Sequence, residues 1–290
     1  MTKSILAKQP DGTIQLTITI PKGEIQKAYN DALEETVRET ELPGFRKGRA
    51  PKKLVEEKVD RSKVYEQVLQ KVVPQAYLQA IEEHKLKPII TPKVELIKAK
   101  EDEDWEIRAT TCELPGFTLG NYKDDVRKAT AASKLWVPNQ PKVTTGDKQS
   151  ESTAEERTEK AIAALLQAIR FDLPQILIED EVDRSLSNLI NQTNSLGLTI
   201  DQYLTSIGKT AEQLRTEYNE KVSRNLRLQF ILDRIAVEEK FEVSAKEIDD
   251  LVNATGDPKT KESLSSPVQK AYLKGLLARR KVLDFLEKLE

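Results

Sequence analysis

The spacing of the apolar residues changes once along this chain, and that change constrains the fold more than any other feature. Up to about residue 126 the chain contains alternating runs and runs with three- and four-residue spacing, which are typical of strands and helices respectively. From about residue 155 onward only the helical spacing continues. The sequence therefore predicts an α+β fold class, with a small α/β domain at residues 1–126 and an elongated all-α domain at residues 155–290.

The N-terminal domain is predicted to have the element order β-α-α-α-β-β with a small antiparallel sheet. Its first strand carries one apolar face, made of Ile14, Leu16, Ile18 and Ile20. Helical spacing follows at residues 25–37 and again at residues 54–81, after a break at 42–44 and with a bend expected at Pro74. Two alternating runs, at residues 94–96 and 105–111, complete the sheet on either side of a charged turn.

Residues 127–154 are predicted to form an extended linker. They are rich in Ser, Thr, Lys, Gln and Pro, and their only apolar cluster is at residues 135–137. Beyond the linker, Thr199, Thr210 and Ser244 are each followed three residues later by Gln or Glu, which is the pattern of a capping box. Ser266 followed by Pro267 is a further helix start.

Composition narrows the functional classes. The net charge of −2 excludes a general attraction to nucleic acid or membranes, so a basic site must be local. Cys112 and His84 are the only cysteine and histidine, so neither an intrachain disulfide nor a Cys/His metal cluster can form. We expect no catalytic residues, no metal and no cofactor. The N-terminus lacks the apolar run of a signal peptide, so we expect a cytoplasmic location and no membrane partner.

Residues 43–53 form the most basic part of the chain. They contain no acid and five cations, which are Arg46, Lys47, Arg49, Lys52 and Lys53. Two glycines and two prolines favour a turn that projects Phe45 and Arg46 from a tip, where an aromatic ring and a guanidinium can dock in a small pocket. The alternative interpretation is a solvated basic loop with Phe45 packed beneath it.

The string GFRKGRAP in this segment resembles the ribosome-binding loop of the trigger factor family. LPGFTLGNY and DLPQILIEDEVD are similar to the end of that family's first domain and to the start of its helical client-binding body. The resemblance implies docking on the large ribosomal subunit near the exit tunnel. The ribosome-binding residues that it implies are Gly44, Phe45, Arg46, Lys47, Gly48 and Arg49.

The family normally inserts a prolyl-isomerase domain where this chain has only the linker, with Trp136 as its sole aromatic residue. The resemblance therefore implies an ATP-independent chaperone that binds nascent or unfolded polypeptides, without carrying over the isomerase activity. The client-contact residues are not predicted. Three alternatives stay open: a prolyl isomerase like the full-length relatives, a holdase that has left the ribosome, and a protein that binds nucleic acid directly. A homodimer off the ribosome, the client specificity and the natural or artificial origin of the missing domain also stay open.

Overall fold

The computed structural model describes residues 2–39, 54, 61–100, 102–131, 149–254 and 258–289. These residues divide into two compact units. The N-terminal unit consists of Met1–Pro115 with Pro174–Leu177, and the helical unit consists of Gly116–Leu173 with Ile178–Glu290. The predicted fold class is confirmed, since a small antiparallel sheet with helices precedes a region in which the structure describes only helices.

The N-terminal unit contains four strands and two long helices among its described residues. In chain order these are β1 (Lys3–Lys8), β2 (Thr13–Ile20), α1 (Lys22–Glu39), α2 (Arg61–His84), β3 (Lys93–Lys98) and β4 (Trp105–Cys112). The spatial order of the strands is β1-β2-β4-β3, and every neighbouring pair is antiparallel. The expected helix within residues 55–60 lies outside the described residues, and α2 is one helix that contains Pro74.

The sheet has four strands where the sequence predicted three, because β1 was missed. Its sequence, KSILAK, has adjacent rather than alternating apolar residues. Ile5 is 70% exposed, whereas its neighbour Leu6 packs against the core. β1 is held by its antiparallel pairing with β2 and by Ser4, whose hydroxyl donates a hydrogen bond to Glu83 on α2. Pairing with a distant strand, rather than local pattern, therefore creates this element.

Helices α1 and α2 cover one face of the sheet and form the core of the N-terminal unit. Alternation along β2 and β4 directs their apolar side chains to that face, where Leu16, Ile18 and Ile107 are fully buried. Each fully buried side chain of this size stabilises the fold by about 1.5–3 kcal/mol. The backbone N–H of Lys22 donates to Asp104, which fixes the start of α1 against the turn before β4.

The helical unit contains eight described helices. They are α3 (Tyr122–Ala131), α4 (Gln149–Ala168), α5 (Gln175–Ser195), α6 (Ile200–Ile207), α7 (Ala211–Glu238), α8 (Ala245–Ala254), α9 (Pro258–Leu264) and α10 (Pro267–Glu287), with the first three residues of α5 counted in the N-terminal unit. Its main core is formed by buried side chains of α3, α4, α7 and α10. No helix among the described residues is both long and apolar enough to cross a membrane.

The predicted helix starts are confirmed. Thr199 and Thr210 each accept the backbone N–H of a glutamine three residues later, and each glutamine side chain accepts the N–H of the threonine. Ser244 and Glu247 make the same reciprocal pair before α8. Ser266 accepts from Gln269 with Pro267 at the first turn.

The structure divides the chain at different residues from those expected. Residues 116–126, assigned above to the N-terminal domain, group with the helical unit because Tyr122 and Val126 are buried in its core beside Leu165 and Ile235. Helical structure also extends into both ends of the expected linker, through Ala131 in α3 and from the start of α4. The rest of that linker, residues 132–148, lies outside the described residues.

Candidate functional site

The basic tip expected at residues 43–53 lies outside the described residues. The assignments of Gly44, Phe45, Arg46, Lys47, Gly48 and Arg49 therefore stay predictions. The structure does describe the helices on either side of that segment. α1 ends at Glu39, five residues before Gly44, and α2 begins at Arg61.

Helices α1 and α2 run in the same direction. The rings of Tyr29 and Tyr65 lie 5.1 Å apart, and Lys71 Nζ lies 2.7 Å from Glu35 Oε2. From the first contact to the second, the residue number rises by six in both helices, which shows that they are parallel. Arg61 accordingly lines the same 230 Å³ cavity as Lys22, at the N-terminal end of α1.

The two ends that the tip segment joins are therefore well separated along α1. Arg61 lies near the first turn of α1, and Glu39 is its last residue. At 1.5 Å per residue, the 18-residue helix is about 27 Å long. The tip string thus follows the end of α1 that is far from the start of α2.

An aromatic cluster fixes α1 and α2 on the sheet. The alternation of β4 turns Trp105 toward the helices, where it is 3% exposed and its ring centroid lies 5.8 Å from that of Tyr65. Tyr65 in turn contacts Tyr29. The indole N–H of Trp105 donates to the carbonyl of Lys100 at 3.2 Å, so its polar atom is satisfied. Tilted ring contacts of this kind add about 0.5–1.5 kcal/mol beyond area burial, so they help to hold α1 and α2 on the sheet.

Several large apolar side chains of the helical unit are exposed, Val237 on α7 among them at 73%, and most of the others fall into two groups. The first, which we term the α10 stripe, consists of Val268, Tyr272 and Leu276, which are 77%, 61% and 42% exposed. Four-residue spacing places these three side chains on one side of α10. The second, the α5–α6 patch, lies around the connection between these helices and consists of Ile190, Leu196, Leu198 and Ile207.

The C-terminal half of α10 packs into the core of the helical unit, whereas its N-terminal half carries the exposed stripe. Val282 and Leu286 are buried in the main core of the helical unit. Arg279 Nε and Nη2 donate to the two carboxylate oxygens of Asp233 on α7, at 2.7 and 3.1 Å. Asp233 interrupts an apolar run in the sequence, and its half-exposed carboxylate is held by this paired hydrogen bond.

A second polar cluster joins the first helix of the helical unit to the end of α7. The Tyr122 hydroxyl donates to Glu239 at 2.8 Å, and Lys123 Nζ contacts the same carboxylate and lies 5.7 Å from the Phe285 ring centroid. Hydrogen bonds from Lys123 and then Tyr122 lower the pKa of Glu239. Burial, followed by the hydrogen bond to Glu239, raises the pKa of Tyr122.

A wide groove of about 980 Å³ runs between α4 and α7. Charged side chains of both signs dominate its lining, with a few apolar ones between them; they include Glu159, Lys160, Ile162, Glu220, Lys221, Arg224 and Leu228.

Two family models account for nearly the whole chain. The model described as bacterial trigger factor protein matches residues 1–135, and that of the bacterial trigger factor protein C-terminus matches residues 144–288. The chain belongs to the trigger factor family. Between the two matched ranges of this family member lie only residues 136–143.

Curated trigger factors from individual bacteria resemble part of the chain. That of Natranaerobius thermophilus is 31% identical over 110 residues, which are 38% of this chain and 25% of the relative. That of Moorella thermoacetica is 32% identical over 120 residues, which are 41% of this chain and 27% of the relative. The matched part of the chain thus spans about a quarter of the length of these trigger factors.

A solved structure, described as bearing on promiscuous substrate recognition in the folding and assembly activities of the trigger factor chaperone, has the same fold. Its TM-score is 0.67, and the match covers 99% of this chain and 100% of that one. The sequence identity is 15%, so the likeness bears on the fold alone.

Sequence reasoning did not identify the two exposed apolar surfaces of this trigger factor family member. Val268, Tyr272 and Leu276 recur at four-residue spacing in the sequence, but such a stripe alone does not tell which of its residues another element covers. Leu196 and Leu198 flank Gly197, which has a φ of 75° and closes α5. Two leucines beside a helix-terminating glycine were the available signal for an exposed connection.

Proposed function

We propose that this protein is an ATP-independent chaperone that docks on the ribosome through residues 44–49 and binds nascent polypeptides with its helical unit. The observation that carries the proposal is the GFRKGR string, which begins five residues after the end of α1, in a member of the trigger factor family. The packing of α1 against α2 and the sheet supports it, because a docking element needs a fixed base. The proposed location is the cytoplasm, on the large subunit near the exit tunnel.

Each residue of the string has a proposed role in docking. Phe45 is the apolar anchor, while Arg46, Lys47 and Arg49 contact phosphates or acidic side chains of the ribosome. Gly44 and Gly48 shape the turn that presents them. Removing an aromatic anchor and two charged contacts from an interface costs several kcal/mol, so binding should fall by at least about 100-fold.

Ribosome co-sedimentation tests this docking. We expect the variant with Phe45→Ala, Arg46→Ala and Lys47→Ala to stay in the supernatant under conditions in which the wild type pellets with ribosomes. The matched control is Leu78→Ala, Lys27→Ala and Lys63→Ala, which removes one exposed apolar and two exposed cationic side chains from α1 and α2. Equal pelleting of the tip variant and this control would show that another surface makes the contact.

For client binding we propose the α10 stripe and the α5–α6 patch. Unfolded segments are recognised by exposed apolar side chains scattered over a polar surface, and these two groups are the largest such exposures described in the helical unit. Val268 and Leu196 are each more than three-quarters exposed. Their apolar contacts with a client would be short-lived and tolerant of sequence, as a general chaperone needs.

We further propose that the protein acts without prolyl isomerase activity. Residues 136–143 separate the two matched ranges, and eight residues cannot enclose a proline between several aromatic and aliphatic walls. A proline-containing test peptide mixed with the protein should therefore isomerise at its uncatalysed rate, over tens to hundreds of seconds. A clear acceleration would favour the alternative in which this chain is itself an isomerase.

A further inference from the structure

The segment that carries the α5–α6 patch is almost free of charge. All four residues of the patch lie within residues 185–208, in which Asp201 is the only charged residue. Charged residues make up 32% of the whole chain, so a segment of this length would ordinarily contain several of them. The patch is therefore bordered along the chain by uncharged side chains.

The charges next to this segment already have partners. Arg184, just before it, lies 3.0 Å from Asp180, one turn earlier on α5. Lys209, just after it, donates to both carboxylate oxygens of Glu217 on α7. Asp201 forms no ion pair with a described residue, but it lies in the first turn of α6, where the helix N-terminus offsets part of its charge.

Helix α6, which follows the first three residues of the patch and ends at the fourth, contains no buried residue. Its two ends are capped locally, by Thr199 and by Gly208, which has a φ of 66°. Four apolar side chains at three- and four-residue spacing share one side of α6, and these are Ile200, Tyr203, Leu204 and Ile207. Because that side is only partly covered, an apolar partner can bury more of it.

Uncharged polar side chains accompany the apolar ones. Asn191, Gln192 and Asn194 are exposed near the end of α5, and each side-chain amide carries both a hydrogen-bond donor and an acceptor. An unfolded polypeptide presents backbone N–H and C=O groups that no secondary structure satisfies. These amides can bond such groups whatever the sequence of the polypeptide.

A surface of this kind discriminates against charged side chains. A charged group that loses its water in a contact is strongly disfavoured unless an opposite charge or hydrogen bonds replace that water. Between residues 185 and 208 the only side chain of opposite charge is Asp201 for a cation, and there is none for an anion. Apolar and neutral polar side chains carry no such penalty.

The patch is too small to hold two copies of this chain together. Its four side chains are 36–76% exposed, which together equals about two fully exposed side chains, or roughly 200 Å² of apolar surface. A stable protein interface buries about 800 Å² on each partner. A short client segment that binds transiently fits this area better.

We propose that the α5–α6 patch binds uncharged apolar segments of client polypeptides and rejects segments that carry a charged residue. This proposal rests on the proposed function as a client-binding chaperone, and it names the chemical class of client segment that this surface selects. Apolar contacts and neutral hydrogen bonds hold the segment, so the patch tolerates many sequences but not charge. Segments that become buried when a client folds have this character.

Fluorescence anisotropy with labelled peptides tests this selection. The probes are acetylated and amidated peptides of alternating leucine and serine, in which the central leucine is replaced by serine, lysine or aspartate. The chain carries Val268→Ser, Tyr272→Ser and Leu276→Ser, so that the α10 stripe does not contribute. We expect the serine peptide to bind about tenfold more tightly than either charged peptide, and equally well at low and high salt.

A cation placed in the patch should give it a preference for the opposite charge. In the same background, Leu196→Lys changes the most exposed residue of the patch, so the aspartate peptide should bind about tenfold more tightly than the lysine peptide. Val237→Lys is the matched control, since Val237 on α7 is 73% exposed and Leu196 is 76% exposed. The control should leave the order of the three peptides unchanged.

Two kinds of result would overturn the proposal. The first is equal binding of the three peptides, or an order that Leu196→Lys and Val237→Lys change alike. The second is a dimer in sedimentation velocity that Leu196→Lys abolishes, which would assign the patch to a second copy of this chain.

The failure of this selection can be told from the failure of the proposed function. If only the selection is wrong, the three peptides bind alike, and the wild type still suppresses aggregation of an unfolded protein. If client binding as a whole is wrong, the wild type binds none of the peptides and does not suppress aggregation.

Discussion

Glu247 illustrates how single residues hold the helical unit together. Its carboxylate accepts hydrogen bonds from the backbone N–H and hydroxyl of Ser244, at 2.8 and 3.0 Å, and lies 2.7 Å from Lys281 Nζ on α10. The lysine contact, followed by the two serine bonds, lowers the pKa of Glu247 to about 2. One carboxylate thus caps α8 and links it to α10.

This depressed pKa predicts a pH dependence of stability. The carboxyl group titrates near its ordinary value of 4.5 in the unfolded chain and near 2 in the folded one. Its stabilisation is therefore fully present above about pH 4.5 and is lost as the pH falls toward 2. Glu247→Gln should lower the thermal unfolding midpoint at pH 7 and flatten its decline over that acid window.

Thermal unfolding followed by circular dichroism at several pH values checks this prediction. Glu66→Gln is the control, since this exposed glutamate on α2 forms no ion pair with a described residue. Its midpoints should follow those of the wild type at every pH. An acid-side slope of Glu247→Gln that parallels the wild type would contradict the assigned role.

Local pattern predicted the cap of Glu247 but not its partner on α10. The Ser-x-x-Glu spacing is visible in four residues, whereas Lys281 lies 34 positions away. The same holds for Asp233, whose place in an apolar run was visible while its partner Arg279 was not. Contacts between distant residues depend on how the helices pack, and the spacing of residues in a single sequence does not specify that packing.

At the scale of elements, periodicity predicted those with strong internal patterns. β2 and β4 alternate over eight residues each and were found where expected. β1 has no such alternation and was missed, since its pairing with β2 and the contact from Ser4 to Glu83 hold it in place. The exposure of Val94 and Leu96 on β3 could not be predicted either, because alternation shows which side chains share a face of the sheet but not whether a helix covers that face.

The α10 stripe leads to a prediction about client binding. Replacing Val268, Tyr272 and Leu276 together by serine removes most of the exposed apolar area of this half of the helix. We expect about tenfold more of the variant than of the wild type to be needed to suppress aggregation of a denatured protein diluted into buffer. The exposed sites should tolerate the change with little loss of stability.

The control for the stripe is Ile5→Ser, Leu78→Ser and Leu114→Ser. These side chains are 58–70% exposed and belong to the N-terminal unit, whereas both proposed client surfaces belong to the helical unit. This variant should suppress aggregation as well as the wild type does. Equal loss in both variants would mean that total apolar surface, and not the α10 stripe, governs client binding.

At the scale of the whole molecule, the change in periodicity correctly predicted an α+β region followed by a helical one. The boundary was harder to predict, because the short apolar set of Leu119, Tyr122 and Val126 continues the sequence of the first region but packs with α4 and α7. The string proposed to dock stands out in the sequence because its glycines, aromatic residue and cations are contiguous. A client surface assembled from exposed residues of separate helices has no such contiguous signature.

Site-specific photocrosslinking can show whether Phe45 contacts the ribosome beside the exit tunnel, as we propose. A photoreactive phenylalanine analogue is placed at position 45 of the full chain, which is then irradiated with ribosomes, and the crosslinked partners are identified by mass spectrometry. The same analogue at Leu78, which is 59% exposed on α2, is the control. We expect crosslinks from position 45, but not from position 78, to large-subunit proteins at the tunnel exit. Crosslinks from both positions alike, or none from position 45, would contradict it.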